Sequence, residues 1–188
     1  MGRHSTIDDT AVFGIIGRTM VQDGAISIQR IIAQTGISSG SLYHRYKSRE
    51  GLLAHAWLDA LSSFQVQFLD VMAAGGANVG EEAAQVTPRF CNQYHDRALI
   101  LACCQRSQFL GPDTDKTLLE KCDMRNAEMV SLLKGFAQSS NVSLDSCYLG
   151  IVQYPLAVVR HYLPARKVPK SAEKHVRAAY QAAMEVEV

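Results

Sequence analysis

The sequence predicts an all-α protein, in which a small N-terminal helix-turn-helix module precedes a larger helical bundle. Two observations predict this fold. Apolar residues recur at intervals of three and four along most of the chain, whereas the alternation typical of strands never persists. Clusters of Gly, Pro and Ser separate the periodic segments, as in "AAGGANVG", "LGPD" and "PARKVPK". At 188 residues, the chain is long enough to bury a sizeable core.

Composition and charge exclude several classes of protein. The chain is 47% hydrophobic and 20% charged, as in ordinary globular proteins, and its formal net charge is only +1. No apolar run follows the first cations, so we expect no secretory signal. No run approaches the roughly 20 apolar residues of a membrane helix, so we expect no membrane partner. Five cysteines in apolar contexts predict reduced, buried thiols in a cytoplasmic protein.

The first 50 residues predict three short helices. Apolar residues between positions 12 and 20 repeat at helical spacing, and Gly24 is the expected C-cap. Ser27 is the expected N-cap of the next helix, which ends at Gly36. The third helix is predicted at 39–45.

A long helix is predicted to follow and to join the module to the bundle. Ser48 is its expected N-cap, and Glu50 lies in its first turn, where a carboxylate suits the helix dipole. Its apolar stripe continues to about residue 72, where glycines interrupt it. Further helices are predicted at 81–95, 97–109, 114–137, 143–163 and 171–186. The predicted domains are therefore residues 1–50 and 51–188.

The helix at 39–45 has an unusual number of polar groups. The turn "QTGIS" sets two helices at a steep angle, and Ile31, Ile37 and Leu42 are spaced to meet inside it. The opposite face then points outward with hydroxyls, a glycine and long polar side chains, which suit phosphate oxygens and base edges. The segment therefore predicts double-stranded DNA as a partner. The residues expected to contact DNA are Ser27, Ser38, Ser39, Gly40, Ser41, Tyr43, His44 and Lys47.

The segment "SIQRIIAQTGISSGSLYHRYKSREGLL" also resembles a known family. It is similar to the helix-turn-helix of TetR-like transcriptional regulators, the tetracycline-repressor family, and the resemblance covers residues 12–58. The resemblance implies that Tyr43 and Lys47 hold phosphates and that Tyr46 packs under the helix beginning near Ser48. Ser39 stands where many members carry a lysine. The rest of the chain resembles the family only in length and helical pattern.

The resemblance implies that the second domain dimerises and binds a small-molecule effector. Small and apolar residues form one stripe on the last helix, which predicts a dimer seam built from the last two helices. The alternative is that this stripe covers the core of its own protomer. The residues expected at the dimer interface are Ala172, Val176, Ala179 and Ala183.

Candidates for the effector pocket are aromatic side chains and one cation. The alternative is that the aromatic residues are ordinary core and that the cation lies at the surface. Pro155 is expected to distort its helix near Ile151, which creates space beside Tyr154. The residues expected to contact the effector are Phe68, Tyr94, Arg106, Phe109, Tyr148 and Tyr154.

The cysteines define the rival interpretations. Cys91 and His95 are four residues apart, which places them on one face of the predicted helix, and a thiolate–imidazole pair can be a nucleophile or a zinc ligand pair. The chain has no CxxC and no HExxH, so we expect neither an enzyme nor a metal or other cofactor site. The favoured function is a dimeric repressor that an effector releases from a palindromic operator. The alternative is a regulator that senses redox state through its thiols.

Overall fold

The computed structural model describes residues 8–186, and within this range the chain forms α-helices and one π-helical turn, with no strand. The all-α prediction is therefore confirmed. The absence of a secretory signal was inferred largely from residues 1–7, which lie outside the described range. The helices are α1 (Asp9–Asp23), α2 (Ile28–Thr35), α3 (Ser39–Tyr46), α4 (Arg49–Ala74), α5 (Val79–Gln93), α6 (His95–Cys103), α7 (Arg106–Phe109), α8 (Lys116–Ser140), α9 (Leu144–Tyr148), the π-helical turn (Leu149–Gln153), α10 (Tyr154–Arg160) and α11 (Ala172–Met184).

The predicted ends of the N-terminal helices are confirmed. Ser27 and Ser48 cap α2 and α4, since each side chain accepts a hydrogen bond from the backbone N–H three residues later. Gly24 and Gly36, with φ of 71° and 70°, end α1 and α2 in the left-handed conformation. These local signals fix the lengths of the short helices and therefore the direction in which α3 leaves the turn.

The N-terminal core forms where the three short helices meet. Ile31, Ile37 and Leu42 are buried in one cluster, as the sequence predicts. The same cluster includes Ile100 and Phe109 from the bundle, and α1 packs along α6. The two predicted domains therefore share a core, and α4 runs without interruption from one into the other.

The bundle differs from the sequence prediction at two helix breaks. The helix predicted at 97–109 is two helices, because Cys104 is extended (φ −108°, ψ 162°) and buried in the N-terminal core. The helix predicted at 81–95 ends at Gln93, because Tyr94 leaves the helical conformation (φ −128°, ψ 59°).

The helix predicted at 143–163 is distorted before Pro155. The π-helical turn Leu149–Gln153 joins α9 to α10, and the N–H of Tyr154 donates to the carbonyl of Leu149, five residues earlier. This confirms that the segment departs from a regular α-helix near Ile151. α11 then packs against α5, α10 and the π-helical turn. Within residues 8–186, no helix is long and apolar enough to cross a membrane.

Candidate DNA-binding site and effector cavity

The orientation of α3 divides its residues into a buried face and an outward face. Leu42 and Tyr46 are buried, four residues apart, in the core with α1 and α4. Ser38 caps the helix by accepting a hydrogen bond from the N–H of Ser41 at 3.1 Å, and the two hydroxyl oxygens lie 2.9 Å apart. The remaining polar side chains of the helix are left to face solvent.

The outward face is continuous and polar. Ser38, Ser39, Gly40, Ser41, Tyr43, His44 and Lys47 are all exposed. The structure therefore brings seven of the eight residues expected to contact DNA onto one surface. Ser27, the eighth, is half-buried as the N-cap of α2, with its oxygen 3.2 Å from the N–H of Arg30.

Two residues of this surface, Gly40 and Lys47, have backbone features of their own. A Cβ atom at Gly40 would meet nothing closer than the Ser38 hydroxyl, 3.9 Å away, so the fold itself does not require a glycine there. Lys47 has a positive φ of 69°, which is unfavourable for a residue with a side chain, and its Nζ donates to the carbonyl of His44 at 3.0 Å. The positive φ of Lys47 belongs to the tight turn between α3 and α4, in which the N–H of Ser48 donates to the carbonyl of Tyr46 at 2.8 Å.

The C-terminal end of α3 is held by residues of α1 and α4. The carboxylate of Asp9 accepts hydrogen bonds from the Arg45 guanidinium and from the Tyr46 hydroxyl. The Tyr46 ring lies between Phe13 and His55, at centroid distances of 5.8 and 5.5 Å. Burial, reinforced by the adjacent Asp9 carboxylate, raises the pKa of Tyr46 well above its ordinary value. Its hydroxyl is therefore a hydrogen-bond donor throughout the physiological range.

The helix-turn-helix is the part of the chain that a known family shares. Residues 24–56 match the model of "Bacterial regulatory proteins, tetR family", and they comprise α2, α3 and the first two turns of α4. Residues 24–56 therefore form a helix-turn-helix of the kind found in TetR-family DNA-binding transcriptional regulators. No curated protein and no solved structure matches this chain. The family resemblance predicted from "TGISSGSLYHRYKSREGLL" is thus confirmed.

Sequence reasoning missed the role of Asp9, and its contacts give a direct prediction. Asp9→Ala leaves the half-buried Tyr46 hydroxyl without its acceptor, so we expect the free energy of unfolding to fall by about 1–3 kcal/mol in urea denaturation. The matched control is Asp23→Ala, which removes only an exposed ion pair with Arg30 and should cost less than about 1 kcal/mol. Equal costs for the two variants would show that Asp9 contributes only a surface charge.

An apolar cavity of about 210 Å³ lies in the helical bundle. It is bounded by α4, α5, α6, α8, α10 and the π-helical turn, and its two polar lining residues are Thr87 and Asn126. Small side chains complete the wall: Cys91, Ala98, Ala102 and Val152. The larger apolar side chains that line it are Leu61, Phe64, Phe90, Leu101, Met129 and Leu156.

None of the six residues expected to contact an effector is among those lining this cavity. Phe109 is buried in the N-terminal core against Trp57, with ring centroids 5.5 Å apart. Phe68 is buried in a separate cluster of α4, α5 and α8. Tyr94 packs on Phe90 from outside the cavity, at 5.3 Å between centroids.

The other three of the six lie at the surface. Arg106 is exposed and forms an ion pair with Asp123 at 2.6 Å. Tyr148 and Tyr154 are exposed on the outer face of α9 and α10. The spacing of the aromatic residues in the sequence does not show which helix face borders a cavity. For this reason the six expected residues were not those that line it.

The stripe expected at the dimer interface faces the core of its own protomer. Ala172, Val176 and Ala183 are buried in the single chain, against α5, α10 and the π-helical turn, and Ala179 is half-buried. Three of the four side chains are therefore unavailable to a partner. The structure supports the alternative, in which the stripe covers the core of its own protomer.

The expected pairing of Cys91 and His95 on one helix face is wrong, because Tyr94 separates α5 from α6. Within residues 8–186, no group of three or more His, Cys, Asp and Glu side chains is placed to hold a metal ion. Burial raises the pKa of Cys91 to about 12 and that of Cys104 to about 11. Burial also raises the pKa of Cys103, Cys122 and Cys147.

Proposed function

We propose that this regulator is a cytoplasmic homodimeric repressor, released from a palindromic operator by a small-molecule effector that occupies the bundle cavity. The observation that carries the proposal is the reach of α4. Near its start, Gly51 packs against the backbone of Tyr46 at the end of α3, and further along Leu61 and Phe64 form part of the cavity wall. Gly51 and Phe64 are separated by 13 positions in sequence, which correspond to about 20 Å of helix. One rigid element therefore contacts both the DNA-facing module and the cavity.

The outward face of α3 supports the operator contacts. Tyr43 and Lys47 are long enough to reach phosphates, while Ser39 and Ser41 lie in the first turn, where hydroxyls and backbone N–H groups meet the DNA. Lys47 and Arg49 take part in none of the ion pairs formed within the described part of the chain, so their charges remain available to DNA. Most of the affinity should therefore come from phosphates and fall with salt.

The exposed face of the last helices supports a dimer seam different from the stripe inferred from sequence. Tyr148, Leu149 and Tyr154 are exposed apolar side chains on one segment, and α11 exposes Ala178 and Ala182. A row of exposed apolar side chains is unfavourable in water unless a partner covers it. In such a dimer, the two α3 helices have to lie about 34–36 Å apart to reach two half-sites on one face of the DNA.

Release follows from linkage between the two sites. An effector that fits the cavity better in one spacing of the α3 helices than in the other shifts the dimer towards that spacing. Gly51 of α4 contacts the backbone of Tyr46 at the end of α3, so a movement of α4 would displace α3. The separation of the two α3 helices in the dimer would then change. DNA binding falls by the same factor by which DNA weakens effector binding.

The dimer part of the proposal predicts the effect of one surface charge. Leu149→Glu adds a charge to an exposed position, so the monomer should remain folded, but burial of an unpaired carboxylate in the seam should prevent dimerisation. We expect sedimentation velocity to show a monomer and operator binding to be lost. The control is Val66→Glu, a change at an exposed position of α4, which should remain dimeric and bind DNA. A dimeric Leu149→Glu variant would place the seam elsewhere.

The alternative, a thiol-based redox sensor, predicts a different response. The thiolate is the reactive form of cysteine, and burial disfavours it at all five positions. We therefore expect hydrogen peroxide to change operator affinity by less than about twofold. The redox alternative would be favoured if peroxide abolished operator binding, dithiothreitol restored it, and the Cys103→Ser variant no longer responded to peroxide. Cys103 is chosen because its thiol is partly exposed.

A further inference from the structure

The lining of the bundle cavity carries information about the charge of its ligand. No Asp, Glu, Lys, Arg or His side chain is among the residues that line it. Two cations of the helices around it have partners of their own: Arg97 of α6 pairs with Asp59 at 2.7 Å, and Arg160 of α10 donates to the carbonyl of Ala102 at 2.6 Å. A buried ionic group without a counter-charge is strongly disfavoured. The lining therefore disfavours a ligand whose ionised group is buried in the cavity.

The volume and the aromatic pair restrict the size and shape of the ligand. Apolar cavities of about 150 Å³ hold benzene, whereas drug-sized pockets begin at about 300 Å³. The 210 Å³ cavity lies between these two values. Phe64 and Phe90 meet edge to face in its wall, with centroids 5.4 Å apart, an arrangement that a further ring can join. A substituted single ring fits these dimensions.

Two side chains give the lining of the cavity its polar groups. Thr87 is buried in α5, and Asn126 is exposed on α8, where the cavity opens. A hydroxyl and a side-chain amide both donate and accept hydrogen bonds, so either can satisfy a hydroxyl or carbonyl group of a ligand.

We propose that the effector is an uncharged, mainly apolar molecule of single-ring size, whose hydroxyl or carbonyl group pairs with Thr87 or Asn126. This inference rests on the proposed function, in which the cavity is the effector site. Val152 of the π-helical turn and Leu61 of α4 both line the cavity, so the ligand contacts the helix that reaches the DNA-facing module and the segment next to the proposed dimer seam.

The test uses three probes that share a ring and differ in charge at pH 7: 4-fluorobenzyl alcohol, 4-fluorobenzoate and 4-fluorobenzylamine. Their dissociation constants are measured by ¹⁹F NMR titration of the full chain. We expect the alcohol to bind at least about tenfold more tightly than either ion, because neither ion finds a counter-charge. Equal or tighter binding of an ion, or no binding of the alcohol, would overturn the inference.

Two variants locate the site. Ala102→Leu fills the cavity, and Met129→Phe narrows it from a half-buried position, which keeps the test usable if the first variant does not fold. Each should weaken binding of the alcohol by at least about tenfold, whereas Val66→Leu, an addition of bulk at an exposed position, should not. Unchanged binding in a folded cavity variant would place the probe elsewhere and overturn the inference.

Operator binding without probes, measured on the same samples, separates this inference from the proposed function. A chain that binds its operator but does not discriminate between the probes overturns only the ligand class. A chain that does not bind an operator overturns the proposed function, while selective binding of the alcohol in the cavity would still support the ligand class.

Discussion

Replacing Tyr43 with alanine and Lys47 with glutamine together should weaken operator binding by at least about 1,000-fold at fixed salt, because the bound dimer loses four phosphate contacts worth about 1–1.5 kcal/mol each. Both side chains are on the outward face of the module, where Tyr43 is 40% exposed. Loss of the two Lys47 charges of the dimer should also lower the slope of log affinity against log salt by about 2, whereas loss of the Tyr43 phenols should not change it. Fluorescence anisotropy at several salt concentrations measures both quantities.

The matched control for this variant is Lys134→Gln, which removes an exposed lysine charge from α8 in the bundle. It should leave both affinity and salt slope near the wild-type values. A double variant that binds DNA as tightly as the Lys134→Gln control would contradict the placement of the DNA-facing surface. Thermal unfolding should be nearly unchanged in both proteins, since the replaced side chains are exposed.

The second large effect is expected at the contact between α3 and α4. A methyl group at Gly51 would overlap the carbonyl oxygen of Tyr46, a backbone atom that cannot move without shifting the end of α3. We expect Gly51→Ala to lower the free energy of unfolding by about 1–3 kcal/mol and to weaken operator binding as α3 is displaced. Urea denaturation and anisotropy measure the two effects.

Gly135→Ala is the matched control, because the same change there should have the opposite sign. Gly135 lies within α8, and a Cβ atom added to it meets nothing within 4 Å. Alanine is preferred over glycine inside a helix by about 0.5–1 kcal/mol, so this variant should be more stable than wild type. A Gly51→Ala variant that is also stabilised would disprove the close contact with Tyr46.

Features with a local chemical cause were predictable from the sequence. Ser27 and Ser48 stabilise helix starts through hydrogen bonds to nearby N–H groups, and Gly24 and Gly36 permit the left-handed backbone at helix ends. These signals need only a few consecutive residues. They were sufficient to predict the helix-turn-helix and the outward face of α3.

Features that depend on distant contacts were not predictable. The break between α6 and α7 has no Gly or Pro, and Cys104 is extended because it is buried in the N-terminal core. A weak local signal was present, since the Gln108 side chain accepts a hydrogen bond from the N–H of Gln105 at the start of α7. The lengths of α5 and α6 follow from such packing.

The orientation of the last helix and the position of the cavity also depend on tertiary packing. The stripe from Ala172 to Ala183 is apolar whether it faces a partner or its own core, so the pattern alone cannot distinguish the two. The cavity depends on how five helices and the π-helical turn meet, and Thr87 and Asn126 have no sequence signal that separates them from other polar helix residues. Asp9 was missed for the same reason, since its partners lie 36 and 37 residues away in the sequence.

Specific binding of the dimer to a palindromic operator is the central claim, and one titration tests it most directly. The purified chain is titrated by anisotropy into fluorescent DNA fragments from around its own gene, or into a random-sequence library, with excess nonspecific competitor. We predict competitor-resistant binding to a palindrome, with two protomers per site and an affinity that falls steeply with salt. A folded dimer that selects no sequence from the library at low salt would contradict the account.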